Sequence, residues 1–223
     1  MNKVSSIINK NLKSTKRGDI MLSPKEAERE LSIGEQLNPG PWIKHSMSVG
    51  LNAKLIADRI DMLDSNQAYA MGLLHDIGRR EGMKSIMHTI DGYDYMMSLN
   101  QNEIARICLT HSYPIQDVNT FFGKFDCTEE QKVFLSCFIK NTVYDDYDRL
   151  IQLCDAISLP NGACIMEKRL IDVALRHGLP EFTIDKWKAF LELKKYFDRL
   201  CNCNIYTLLP NVIENSYESL TEC

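Results

Sequence analysis

The sequence predicts an all-α fold on three observations. Apolar residues recur at helical spacing through most of the chain, as in Ala70, Leu73, Leu74 and Ile77 at i, i+3, i+4 and i+7. Helix-start signals such as Ser23-Pro24-Lys25-Glu26 stand ahead of apolar stripes. No sustained alternation of apolar and polar residues occurs that would build a sheet. The 223 residues suffice for one full hydrophobic core with an appendage. Residues 1–37 read as an N-terminal arm and helix, 38–177 as the main domain, and 178–223 as a C-terminal helical extension packed on that domain.

Residues 1–22 are mixed and polar, a short helix or a loose arm without assigned chemistry. A helix then opens with Ser23 as N-cap, Pro24 at its first position and Glu26 completing a capping box, and it should fade by Gly34. The turn Asn38-Pro39-Gly40-Pro41 delivers a second helix, Trp42 to about Asp61, with Val49, Ala53, Ile56 and Ile60 facing inward. His45 extends that stripe one turn earlier. Ser65 reads as the N-cap of a third helix that carries His75 and Asp76 off its apolar stripe and ends at Gly78.

Glu81-Gly82 breaks the chain before a helix from about Met83 to Leu99. On it His88 neighbours Lys84, Ser85, Asp91 and Gly92, and so faces a polar space. A short helix from Gln101 places His111 on its apolar face before Pro114 stops it. Residues 112–127 read as loop, and Thr128 restarts a helix to about Asn141. The acids of Tyr144-Asp145-Asp146-Tyr147-Asp148 suit a helix start, where the dipole favours them. Asp155, among Leu150, Ile151, Leu153, Cys154, Ile157 and Leu159, needs a partner or a metal. After Gly162 a helix of about Ala163 to Arg176 carries Lys168-Arg169 on a solvated face. His177-Gly178 reads as its C-terminus, which leaves His177 outside the site. Thr183 caps a helix through Leu200, and Pro210 opens a last short one.

The net charge of -4 and a pI near 5.8 leave no electrostatic footprint for a nucleic-acid polymer or an anionic membrane, and point to small substrates. Eight cysteines without a CxxC pair, behind an N-terminus lacking a secretory apolar core, read as a reduced cytoplasmic protein. No uninterrupted apolar run of about 18 residues occurs, so no membrane span is expected.

Four of the five histidines and two carboxylates stand in the order His45, His75-Asp76, His88, His111, Asp155. That order, with the core Leu73-Leu74-His75-Asp76-Ile77-Gly78-Arg79, resembles the HD-domain superfamily of metal-dependent phosphohydrolases over about residues 40–160. The resemblance implies an HD-domain helical bundle with extra C-terminal helices, in which His45, His75, Asp76 and Asp155 hold one ion. His88 and His111 resemble the two-metal subset, which includes bacterial HD-type dinucleoside-polyphosphate hydrolases and HD-GYP cyclic-dinucleotide phosphodiesterases. By that likeness they bind a second ion, with Asp76 as the bridge. Asp91-Gly92-Tyr93 lacks the full GYP signature, and the chain as a whole, including the run from Tyr144 to Leu150, is similar to uncharacterised bacterial HD-domain hydrolases. Imidazole and carboxylate ligands without cysteine suit two divalent transition-metal ions, Fe, Mn, Co or Ni, with Mg or Zn as further candidates.

The resemblance further implies hydrolysis of a phosphate ester or anhydride of a nucleotide-like small molecule by metal-activated water. Asp76 and Arg79 would be catalytic, and Arg79, Arg80 and Lys84 would contact phosphate. Two alternatives use the same ligand types: a diiron HD-fold oxygenase similar to myo-inositol oxygenase, and a non-catalytic nucleotide-sensing HD module. A small phosphorylated or nucleotide substrate is the expected partner, and a homodimer stays open.

Overall fold

The computed structural model describes residues 21–217, so the reading of residues 1–20 as arm or helix, and the last six residues of the extension, lie outside the described residues. Ten α-helices are described: α1 (Pro24–Leu37), α2 (Pro41–Ala57), α3 (Ser65–Leu74), α4 (Met87–Ser98), α5 (Asn102–Thr110), α6 (Glu129–Asn141), α7 (Asp146–Asp155), α8 (Met166–His177), α9 (Thr183–Leu200) and α10 (Val212–Tyr217). Short 3-10 turns cover Ile77–Glu81, Val118–Thr120 and Ile205–Leu208. The fold is all-α, as predicted. One departure is a two-residue antiparallel hairpin, β1 (Ser158–Leu159) with β2 (Gly162–Ala163), too short to show alternation in the sequence.

Local chemistry explains where helices start and where sequence boundaries slipped. The Ser23–Glu26 capping box forms, yet α1 runs past Gly34, which lies under Trp42; a Cβ there would come within 2.9 Å of that ring. α2 ends at Ala57, short of Asp61, although Ile60 remains buried. The N-cap of α3 is Asp64, not Ser65: its carboxylate accepts from the Asn66 and Gln67 N–H groups at 2.8 and 3.0 Å. α3 stops at Leu74, so His75 and Asp76 sit at its C-terminal end, not on its barrel. α4 begins at Met87, later than Met83, because the Asp126 carboxylate takes the Ser85 and Met87 N–H groups at 2.6 and 3.0 Å. Lys168 is not solvated; its Nζ is buried and donates to Asn215 O, while the half-buried Arg169 pairs with Asp172. Thr183 is the first residue of α9 and not its cap, its hydroxyl donating back to Pro180 O.

Two glycine contacts set how closely the central elements approach. A Cβ on Gly72 of α3 would stand 2.6 Å from the Gly50 Cα of α2, so those backbones touch. A Cβ on Gly78 would stand 1.9 Å from His88 O and 2.4 Å from Gly92 N, so the 3-10 turn lies directly on α4. α7 packs on α2, α3 and α5, and α9 packs on α7. Phe190, Phe197, Ile205 and Val212 belong to the same buried cluster as Leu73, Ile107 and Ile151, so residues after 178 share the one core. No described helix is long and apolar enough to cross a membrane.

Candidate metal centre

Each candidate ligand stands where an element ends or where an apolar stripe turns inward. His45 lies on the buried face of α2, His75 caps the end of α3, and Asp76 opens the following 3-10 turn. His88 is in the first turn of α4, His111 caps the end of α5, and Asp155 is the last residue of α7. Placement at these turns lets imidazoles donate to carbonyls just before them: His75 Nδ1–H to Gly72 O at 2.7 Å, His111 Nδ1–H to Ile107 O at 3.2 Å, and His88 Nδ1–H to Ser85 O. A carbonyl only accepts, so these bonds fix the Nδ1–H tautomer and turn the Nε2 lone pairs into the site.

The two oxygens of Asp76 face different partners. Oδ1 lies 3.0 Å from His88 Nε2 and 3.6 Å from His111 Nε2, whereas Oδ2 lies 3.9 Å from His75 Nε2 and 2.5 Å from Arg79 Nε. His45 Nε2 sits 3.0 Å from Asp155 Oδ1. Three groups of donor atoms each fall within 4.8 Å of one another: His45, His75 and Asp76; His75, His111 and Asp155; Asp76, His88 and His111. The structure thus brings all six predicted ligands together, with His111 shared between two groups rather than confined to one.

The donor set fits metal ions. His75 Nε2, His88 Nε2 and Asp76 Oδ1 are buried without a hydrogen-bond partner, although His88 Nε2 and Asp76 Oδ1 are only 3.0 Å apart. With Nδ1–H committed to Ser85, both atoms of that pair present lone pairs to each other. A cation between them removes the conflict. Burial pulls the His45 imidazole down against the opposing pull of Asp155, and burial takes His111 to about 3. Both rings are therefore neutral near pH 7, as ligation requires. Burial raises the Asp76 and Asp155 carboxyls, but the Arg79 guanidinium beside Asp76 and the hydrogen bond between His45 and Asp155 outweigh it; both stay well below the usual carboxylate range.

The predicted phosphate contacts separate. Arg79 is in the centre, its Nε on Asp76 Oδ2 and its backbone carbonyl held by Asn38 Nδ2 at 2.7 Å. Arg80 stacks on the Tyr95 ring with its guanidinium carbon 3.8 Å from the centroid. Lys84 pairs with Asp91 at 2.7 Å. Asp148, in the acidic run read as a helix start, does serve the capping box of α7, yet it is fully buried and also accepts from Thr110 at 2.7 Å and pairs with Arg106 at 3.1 Å. His177 ends α8, as expected. Lys186, which the sequence reading did not single out, is buried on the inward face of α9 with Thr183 and Phe190.

Residues 42–159 match the family described as HD domain, a segment that spans His45 to Asp155. No curated protein and no solved structure matches the chain.

Proposed function

The chain belongs to the HD-domain family, and from that premise we propose that it is a metal-dependent phosphohydrolase cleaving a phosphate ester or anhydride of a small nucleotide-like molecule. The supporting observation is the Asp76 carboxylate, which offers one oxygen to His88 and His111 and the other to His75, a bridging arrangement for two divalent transition-metal ions. His45, His75, Asp76 and Asp155 would hold one, and His88, His111 and Asp76 the other. Such ions, when bound, make water nucleophilic near neutral pH and offset charge on the phosphoryl oxygens.

The protein's own residues prepare the centre. Neutral His45 and His111 and ionised Asp76 and Asp155 are in their ligating protonation states without proton loss. Arg79 orients Asp76 through Nε; its side chain is 34% exposed, which leaves the Nη end to meet a substrate phosphate. The backbone carbonyls of Gly72, Ser85 and Ile107 keep three imidazoles from rotating. Mn-loaded protein should release product anaerobically from a member of a panel of nucleotides, dinucleoside polyphosphates and phosphodiesters, with the new oxygen drawn from labelled water. Turnover that requires both iron and dioxygen would overturn the hydrolase reading.

A further inference from the structure

Lys186 is a buried cation supplied from outside the HD-domain segment. It lies in the first turn of α9, 3% exposed, on the inward face with Thr183 and Phe190. Its Nζ donates to Thr120 O at 2.7 Å and lies 4.8 Å from the Phe122 ring centroid and 6.0 Å from those of Tyr113 and Phe190. It forms no ion pair with a described carboxylate, although Asp155 is within electrostatic reach. One carbonyl occupies one of its three donors, and aromatic faces do not replace the hydration lost. A leucine or methionine would fill this apolar wall at lower cost.

The wall leads to the ligand cluster. The Tyr113 ring, 6.0 Å from Lys186 Nζ, is 6.2 Å from the Phe121 ring, Phe121 is 6.4 Å from the His88 ring, and the carboxylate acting on the ammonium is Asp155, so Lys186 belongs to the aromatic side of the ligand cluster. We infer that Lys186 binds a phosphate oxygen of the substrate, a contact that the C-terminal extension adds to the HD-domain ligands. The inference rests on the phosphohydrolase reading and makes Lys186 a binding residue, distinct from a mere tie between α9 and the 112–127 loop.

The test uses the Mn-loaded full chain titrated calorimetrically with inorganic phosphate, comparing wild type, K186Q and K186M. Glutamine keeps a donor for Thr120 O and removes the charge, so K186Q serves where K186M does not fold. The expected result is phosphate affinity lower by about 10- to 100-fold in the variants, the size of a lost charge-assisted contact, with metal content unchanged and an unfolding midpoint no lower than wild type. Wild-type affinity in K186Q overturns the inference and leaves the hydrolase reading standing, as does an affinity loss that merely follows lost metal or a lowered midpoint. Absence of phosphate binding by the metal-loaded wild type overturns both.

Discussion

Gly78→Ala tests whether the contact beneath the His-Asp pair sets the metal geometry. The added Cβ would lie 1.9 Å from His88 O, and ordinary contact begins at 3.4 Å, so the 3-10 turn and α4 must part by about 1.5 Å (3.4 less 1.9) at that point. Both obstructing atoms, His88 O and Gly92 N, are backbone, so no rotamer change relieves the clash. Overpacking of this kind costs about 1–3 kcal/mol, and the upper end applies here; at about 2–4 °C per kcal/mol the midpoint should fall by roughly 6–12 °C. A total stability of about 5–15 kcal/mol leaves the protein folded. His88, carried by the displaced backbone, then leaves its 3.0 Å station beside Asp76 Oδ1 by far more than the roughly 0.2 Å that a metal–ligand bond tolerates. Affinity for one ion should drop about 10- to 100-fold while the other is retained. Thermal unfolding and Mn titration calorimetry measure both effects. Two ions bound at wild-type affinity, with a midpoint shift under about 2 °C, would refute the reasoning.

Elemental analysis should find close to two transition-metal ions per chain; a ratio near one that survives reconstitution with excess Mn would reduce the centre to His45, His75, Asp76 and Asp155. D76A should weaken both ions together because it removes the carboxylate proposed to serve both, whereas H88A should weaken one, and equal losses by calorimetry would contradict that sharing. In the metal-free protein K186M should be stabilising. Burial pushes the Lys186 ammonium down to about 7 against the opposing charge of Asp155, so between about pH 7 and its ordinary value of 10.5 the unfolded chain binds more protons. The lysine's penalty is therefore complete below pH 7 and disappears as pH rises toward 10.5. At about 1.36 kcal/mol per pH unit, less about 1 kcal/mol for the Thr120 bond, K186M should gain on the order of 4 kcal/mol at pH 6 and little near pH 10. Urea melts at both pH values measure it, and a gain that does not shrink with pH would contradict the linkage.

Features written in local sequence were legible, and those written across the fold were not. His45 could be placed because its helical stripe repeats through Val49, Ala53 and Ile56, and Asp155 because a lone acid among apolar residues demands a partner. The capping box at Ser23 is a four-residue signal and appeared where expected, and the helix expected to restart at Thr128 does so on a box with Gln131. The start of α4 was not legible because Asp126 fixes it from 39 residues away. Gly78 looked like a helix stop; its lack of a side chain instead admits the His88 carbonyl, a neighbour that spacing cannot reveal. The second duty of Asp148 likewise depends on Arg106 and Thr110 from α5. Arg79 was placed in the site, but its bond to Asp76 was not read from the sequence; the 3-10 turn of Ile77–Glu81 brings the two together.

The pairing of His45 with Asp155 joins residues 110 apart in the chain. A ribosome adding roughly 5–20 residues per second needs about 5–20 s to pass from one to the other. During that interval the nascent chain gains His75, Asp76, His88 and His111 in turn, and only at its end the carboxylate that completes the set. The missing donor then arrives at the end of α7, the helix that packs on α2, α3 and α5 together. An ion held by His45, His75, Asp76 and Asp155 would therefore have to wait for residue 155 to be made, whereas the group Asp76, His88 and His111 is already complete in the shorter chain.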